Sequence, residues 1–439
     1  MKKALLPLLF WTLAAAAVEE APPGQALDGA LAAAKARHAA VFIDFSAVWC
    51  HSCYYMDREV LTGPEWKSVE KRAVTLELDA DSPDGTAAAQ KYKIGGYPTY
   101  VVLDENGAEL GRILGDRPRA EFYGLLEPIL AKGAALEKWQ AQVKDGSAPS
   151  VAAGRIALEA LYERFDAKAS LDWFTSLPAA AQSALKADAT SADLVARIEL
   201  FAASDRNDVP ACDKAAARVL ATVDCGRLME LSSFQGCYAK EKPEAQKAAL
   251  APYKPKMEAL QDAVLVKGFG VCSDTRGIVE TAVELYEGLE DKAAHDTVLA
   301  QGVAYSERKL KGKYRSDRGL ADNLRFYREL QKNDAALDAL YPKLIKAYPD
   351  DYVYAYRWGK SLAKRGKFKQ ALPLLERSAG KSFGRNRLWV AQWRTYVLMK
   401  LSRAGEGQKI ASEALAASGP FFEKDAAELE AIAGGKAPA

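Results

Sequence analysis

The chain has 439 residues, of which 49% are hydrophobic and 27% charged, and its formal net charge is only +2. This length predicts two or three domains, and the balanced charge argues against a nucleic-acid-binding protein, which usually carries a basic stripe or a large positive excess. The composition is that of a globular protein and excludes collagen-like and disordered chains.

The first residues have the pattern of an export signal. Lys2 and Lys3 precede a short apolar run over 5–16, and small residues occupy 15–17, as a signal peptidase requires. Because the run is shorter than the roughly 20 residues of a spanning helix, we expect residues 1–17 to be a cleaved signal peptide, with a retained anchor as the alternative. The mature protein is then periplasmic or secreted, in a compartment where disulfides persist.

The next segment, residues 26–132, predicts a mixed α/β domain. Short apolar runs rich in β-branched residues indicate strands, and Asn106-Gly107 favours a tight hairpin turn. The predicted elements are helices over 26–39, 54–61, 65–71, 86–92 and 119–131 and strands over 41–45, 74–78, 99–103 and 109–114.

Cys50 and Cys53 stand just after a predicted buried strand and at the start of a predicted helix. The thiolate is the attacking species in disulfide exchange, and a helix N-terminus favours it. We therefore expect Cys50 to be exposed and nucleophilic, and Cys53, one turn further on, to be buried and to resolve the mixed disulfide. A zinc site and a purely structural disulfide are the alternatives for a single pair with this spacing.

The residues around this pair resemble those of thioredoxins. The run over 44–50, the Gly96-Tyr97-Pro98-Thr99 loop, Asn106-Gly107 and Gly115 match the family, and 49–53 with Met56 and Glu59 is similar to the thioredoxin-like domains of bacterial disulfide-reducing transporters. The resemblance covers 26–132, about a quarter of the chain. It implies a thioredoxin fold and thiol–disulfide oxidoreductase activity, with no cofactor and no metal.

The resemblance also implies a proton carrier. Asp44 would be a buried carboxylate with a raised pKa that exchanges a proton with Cys53, unless it faces water at the end of its strand. Cytosolic thioredoxins commonly place a lysine where this chain has Glu77. The two carboxylates would then raise one another's pKa, or Glu77 points outward.

Further matched residues would contact the substrate. Pro98 is expected to follow a cis peptide bond, an assignment that depends on the resemblance because few X–Pro bonds are cis. The backbone of Tyr97 would then flank Cys50 and pair with an extended substrate segment. Trp49 would cover the cysteine pair, with plain core packing as the alternative.

His51 and Ser52, between the cysteines, are expected to tune the pair. A protonated His51 beside Cys50 would stabilise the thiolate and make the disulfide more oxidising. The alternative is a His51 that points to water and has little effect.

Beyond residue 133 the chain predicts helices only, because apolar residues recur at helical spacing. We expect an all-helical region over 133–319, helical hairpins similar to tetratricopeptide repeats over 320–420, and a tail over 421–439. The basic run over 308–318 is expected to be a solvated helix end or loop. The repeat prediction depends on Trp358, Gly359, Gly366, Phe368, Ala371 and Leu375.

Four further cysteines, Cys212, Cys225, Cys237 and Cys272, are expected to form two structural disulfides with three possible connectivities. Proximity favours pairing 212 with 225 and 237 with 272, and a second redox pair is the alternative. With three histidines in the chain, a His-based metal cluster is not expected.

The sequence therefore predicts an exported thiol–disulfide oxidoreductase that exchanges disulfides with protein clients and with a redox partner protein, which could be membrane-embedded. The helical hairpins would dock a client, since such repeats form concave peptide-binding surfaces. The alternative is an exported, non-catalytic scaffold or chaperone whose thioredoxin-like domain only docks. A weaker alternative is delivery of reducing equivalents to haem or copper maturation. The direction of electron flow is not predicted.

Overall fold

The computed structural model describes residues 24–132, 135–270 and 272–438; the predicted signal peptide, residues 1–17, lies outside them. We refer to residues 24–132 as the α/β domain and to the described residues from 135 onward as the helical region. The elements of the α/β domain are α1 Gln25–Arg37, β1 Ala40–Ser46, α2 His51–Tyr55, α3 Gly63–Arg72, β2 Ala73–Asp79, α4 Pro83–Lys91, β3 Thr99–Leu103, β4 Glu109–Leu114 and α5 Arg119–Lys132, and a π-helical turn, Met56–Val60, continues α2.

The four strands form one mixed sheet in the order β2-β1-β3-β4. Strand β1 is parallel to β2 and antiparallel to β3, and β4 is antiparallel to β3. This arrangement confirms the expected mixed α/β domain, with a parallel crossover first and an antiparallel hairpin after it.

Strand β1 is buried on both faces, which explains its continuous apolar sequence. Side chains alternate across a strand, so Val41, Ile43 and Phe45 pack with α1 and α4, whereas Phe42 packs with α3 and α5 on the other side. The central position of β1 fixes its carboxyl end, and therefore the loop that carries the cysteines, at one edge of the sheet.

The helical region confirms the expected change to all-helical structure. No helix in the described ranges combines the length and the apolar character needed to cross a membrane. The helices are α6 Leu136–Gln140, α7 Ala148–Tyr162, α8 Ala167–Ser176, α9 Ala179–Ala187, α10 Ala189–Arg206, α11 Val209–Val219, α12 Leu228–Tyr238, α13 Pro243–Leu250, α14 Lys254–Gln261, α15 Arg276–Gly288, α16 Lys292–Leu310, α17 Arg318–Leu330, α18 Asp334–Ala347, α19 Val353–Lys364, α20 Phe368–Ala379, α21 Gly384–Lys400, α22 Ala404–Ser418 and α23 Glu423–Ala433.

Successive helices from α17 to α22 pack against one another as neighbours. At the α19–α20 pair, Gly359 permits close approach, since a Cβ there would lie 2.8 Å from Cγ of Leu375. Gly366 supplies the positive φ of +73° in the intervening turn. The assignment of these hairpins to the tetratricopeptide family stays a prediction. Helix α23 lies inside the predicted tail and buries Leu429 and Ile432, which are three residues apart on one helix face.

Two disulfides lie in the helical region, and the pairing favoured by proximity in the sequence is wrong. Cys212 of α11 is bonded to Cys237 of α12, and Cys225 is bonded to Cys272. Helices α11 and α12 pack side by side and bury Cys212 and Cys237 between them. Cys225 lies in the short 3₁₀ turn that precedes α12, and its disulfide connects this turn to the loop that contains Cys272.

Candidate active site

Cys50 and Cys53 lie where the loop after β1 enters α2. Cys50 is the N-cap of α2, and its disulfide with Cys53 joins residues whose Cα atoms are 5.3 Å apart. The backbone N–H of Cys53 donates to Sγ of Cys50 at 3.2 Å. This donor is one of the unpaired N–H groups of a helix N-terminus, so after reduction it would stabilise negative charge on the Cys50 sulfur.

The expected exposure of Cys50 is wrong. Cys50 is 3% exposed and Cys53 is 2% exposed. From the α/β domain, Trp49 and Tyr97 pack against the pair. Val48 and Trp49, in the loop before Cys50, pack against Tyr352, Val353 and Val390 of the helical region. These residues are some 300 positions away in the sequence.

Trp49 and the proline loop form the wall of the site nearest the disulfide. The Nε1–H of Trp49 donates to Oδ2 of Asp81 at 2.8 Å, and its ring meets that of Tyr97 edge to face with centroids 6.2 Å apart. The peptide bond between Tyr97 and Pro98 is cis, as predicted. The structure therefore brings Trp49 and Tyr97 against the cysteine pair, with cis-Pro98 directly after Tyr97.

His51 does not supply the positive charge expected of it. Burial, together with the nearby guanidinium of Arg276, lowers its pKa to about 3. His51 is thus neutral near pH 7 while the cysteines are oxidised, and the 3.4 Å contact between its Nε2 and Oδ2 of Asp274 is one of a neutral imidazole rather than an ion pair. Ser52 is buried beside it.

Asp44 is a buried carboxyl group on β1, six residues before Cys50 in the sequence. It is 8% exposed, and its Oδ1 has no hydrogen-bond partner among the described residues. Burial raises the pKa of Asp44 well above its usual range, and the charges of Asp57 and Glu77 raise it further. Glu77 is the neighbour of Asp44 on β2 and is itself exposed, so its charge reaches Asp44 while its side chain meets water.

The sequence interpretation missed three carboxylates. Asp57 stands one helical turn after Cys53, and burial raises its pKa to about 6. Asp79 accepts a hydrogen bond from the backbone of Val48 at 3.0 Å, and burial raises its pKa to about 7. Asp81 holds Trp49. A signal for the last two was present, because the carboxyl ends of parallel strands meet at one sheet edge, and Asp79 ends β2 while Asp81 follows it.

We expect Asp44→Asn to slow exchange and to stabilise the protein at high pH. A carboxyl with a raised folded-state pKa contributes its full stability below the unfolded pKa of about 4 and loses it as the pH rises through the folded pKa. Asparagine never ionises, so the variant should melt with wild type at about pH 4 and at a higher temperature at about pH 8. The exchange rate should fall about tenfold or more, because the buried proton acceptor is gone.

Melting temperatures across this pH range and single-turnover exchange rates check this result. Asp28→Asn, at an exposed position on α1, is the matched control and should change neither quantity appreciably. Melting curves for Asp44→Asn that stay parallel to wild type at every pH would contradict it.

Comparison with known proteins agrees with this geometry. Residues 23–105 match a family model described as thioredoxin-like. Over 85 residues the chain is 33% identical to the Thiol:disulfide interchange protein DsbD of Pseudomonas fluorescens, which covers 19% of this chain and 15% of that protein. Over 68 residues it is 34% identical to Protein disulfide-isomerase 1 of Dictyostelium discoideum, covering 15% of this chain and 18% of that protein.

A solved thioredoxin from Thermus thermophilus is 36% identical, and the match covers 26% of this chain and 88% of that one with a TM-score of 0.23. The chain spans only 15% and 18% of the length of the two curated relatives named above. All the matched segments cover a minor part of this chain. Within that part, the family match and the geometry agree: the α/β domain is thioredoxin-like, and its Cys50–Cys53 disulfide lies at the junction of β1 and α2.

Proposed function

We propose that this chain is an exported thiol–disulfide oxidoreductase that exchanges disulfides with client proteins through Cys50 and Cys53. The observation that carries the proposal is the position of Cys50 at the N-cap of α2, with the N–H of Cys53 aimed at its sulfur. The signal-like pattern over 1–17 supports export. The printed name of the relative from Pseudomonas fluorescens, a thiol:disulfide interchange protein, supports protein clients and a redox partner protein.

In the reducing direction, the Cys50 thiolate attacks one sulfur of a client disulfide. The client S–S bond breaks, a bond between Cys50 and the client forms, and a client thiolate leaves. Cys53 then loses its proton to the Asp44 carboxylate and attacks Sγ of Cys50. This second step yields the Cys50–Cys53 disulfide and the second client thiolate, so the client gains two electrons and takes up the two protons that the cysteines released.

The redox partner reverses these steps. A partner dithiol attacks the Cys50–Cys53 disulfide, transfers two electrons to it and leaves as a disulfide. In the oxidising direction the same bonds form and break in the opposite order, so the reduction potentials of client and partner set the direction.

The remainder of the chain is assigned as follows in this proposal. Residues 26–132 perform the exchange, 133–319 form a disulfide-bonded helical region, 320–420 form repeat-like hairpins that dock a client or partner, and 421–439 form the C-terminal segment. Stacked helical hairpins suit this role, because they present extended surfaces to peptides.

A second candidate function is an exported scaffold whose thioredoxin-like domain only docks. The burial of Cys50 favours it, because a nucleophile that no client reaches performs no exchange.

Cys53→Ala is expected to trap clients. Without Cys53 the mixed disulfide at Cys50 cannot resolve, so client proteins should accumulate as covalent adducts in the exported fraction of cells that make the protein. Non-reducing electrophoresis and mass spectrometry detect them. The double variant Cys50→Ser/Cys53→Ala is the matched control and should give none. Adduct levels no higher than this control would favour the scaffold.

A further inference from the structure

Two arginines of the helical region donate hydrogen bonds to main-chain carbonyl groups of the loop that precedes Cys50. Nη2 of Arg318 lies 3.4 Å from the carbonyl oxygen of Val48, and Nη2 of Arg357 lies 3.4 Å from the carbonyl oxygen of Trp49. These two carbonyls precede Cys50 directly. Two cationic donors from a remote part of the chain therefore hold the backbone immediately before the nucleophile.

Both arginines are fixed on the helical side. The Arg318 guanidinium pairs with Asp351 and lies 4.9 and 5.7 Å from the ring centroids of Tyr348 and Tyr354, while on the other side it lies 4.2 Å from that of Tyr54 in α2. Nη1 of Arg357 lies 2.6 Å from Oδ1 of the fully buried Asp322. Because each guanidinium is already oriented, little side-chain freedom is lost when it engages the loop. The expected solvated state of the basic run is thus wrong for Arg318.

Two more contacts join the helical region to the α/β domain near the cysteine pair. The backbone N–H of Arg385 donates to the carbonyl of Asp81 at 2.8 Å, on the side of the loop where Trp49 is held. In the π-helical turn that continues α2, Arg58 pairs with Asp317 at 2.6 Å. Helix α17 also approaches α2 closely at Gly319, where a Cβ would lie 3.5 Å from the carbonyl oxygen of His51.

This arrangement leaves no room for a protein substrate. A substrate strand would pair beside cis-Pro98 and reach Cys50, yet both residues are buried. The helical region contacts the loop through an apolar cluster at Val48 and Trp49 and through the charged side chains of Arg318 and Arg357. Interfaces between parts of one chain resemble transient protein–protein interfaces that separate and reform.

We propose that the helical region is a gate over the Cys50–Cys53 disulfide and that Arg318 and Arg357 are the specificity-determining residues that hold it closed. A small dithiol reaches the closed form, whereas a protein dithiol reacts only with the open form. The inference rests on thiol–disulfide exchange at Cys50 and not on the client-docking role proposed above for the helical hairpins.

The test compares two reductants on the full-length oxidised protein. The double variant Arg318→Ala/Arg357→Ala should react with a reduced thioredoxin about tenfold faster than wild type or more, because the reactive open fraction rises. Its rate with dithiothreitol should change much less. Alkylation followed by mass spectrometry at Cys50 and Cys53 gives both rates and separates this pair from the two structural disulfides.

Arg365→Ala is the matched control. Arg365 follows α19, as Arg357 lies within it, but its guanidinium bonds to Asp338 at 2.7 and 3.0 Å, entirely within the helical region. It should react with both reductants as wild type does. The double variant Arg318→Lys/Arg357→Lys keeps both positive charges but loses the planar guanidinium groups. Its rate with reduced thioredoxin should lie between those of wild type and the alanine variant.

Equal rates with thioredoxin in wild type and in both double variants would overturn the gate. So would an equal acceleration with both reductants, which would indicate loosening of the α/β domain itself. Because the readout is the state of Cys50 and Cys53, no client is needed. A failed trapping experiment with a successful gate measurement would therefore reject the client proposal alone.

Discussion

Cys50→Ser is expected to reduce disulfide exchange to the background rate, at least about a thousandfold below wild type. The N-cap position, the N–H of Cys53 and the end of α2 all act on the sulfur at position 50. A serine hydroxyl there stays protonated near neutral pH and forms no mixed disulfide. Serine is also a favourable N-cap residue, so helix α2 should persist. Insulin reduction and titration of reactive thiols measure the loss.

The matched control for this result is Cys212→Ser/Cys237→Ser. This variant also loses a disulfide through substitution of cysteine by serine, but the bond lies in the core between α11 and α12 and is far from Cys50 in the sequence. Its exchange rate per folded molecule should equal that of wild type. Full activity in Cys50→Ser would remove the redox chemistry from this site and leave the scaffold as the better account.

Removal of the other structural disulfide, Cys225→Ser/Cys272→Ser, is expected to lower the free energy of unfolding by about 4 kcal/mol. This bond closes a segment of 47 residues, and the loop-entropy relation gives that value for a loop of such length. The same relation gives about 3.5 kcal/mol for the Cys212–Cys237 bond, which closes 25 residues. Denaturant titrations under non-reducing conditions measure both.

These values assume that the bonds act on the unfolded chain. Cys50→Ser/Cys53→Ser, whose bond spans a separation of three residues, is the control and should lose less stability than either variant. Unchanged denaturation midpoints would reject a structural role for the two bonds. Reduction of Cys225–Cys272 under the mild conditions that reduce Cys50–Cys53 would instead support the alternative of a second redox pair.

Local patterns were sufficient to predict the α/β domain. The predicted strands at 99–103 and 109–114 have the bounds that the structure gives them. The reason is physical: β1 and β3 are buried on both faces and therefore carry continuous β-branched and aromatic runs. The placement of Cys50 and Cys53 follows from the same strand-to-helix junction, whereas the burial of Asp44 was expected from the resemblance to thioredoxins.

The environment above the disulfide was not predictable in this way. Arg318 and Arg357 are 270 and 308 positions from the carbonyls they bind, and no periodicity within one helix encodes such a partner. The neutral state of His51 likewise depends on a distant residue, since the charge of Arg276 adds to the effect of burial on its pKa. The disulfide pairing failed for the same reason, since proximity along the chain takes no account of how α11 and α12 pack.

The hold on the active-site loop is made to carbonyl groups, which every residue type possesses. These hydrogen bonds would survive replacement of Val48 by another apolar residue such as isoleucine, as long as residues 318 and 357 remain arginine and position 48 still packs against Tyr352, Val353 and Val390. Selection would act on the two arginines as a pair, and a paralogue that lost one would be expected to lose the other.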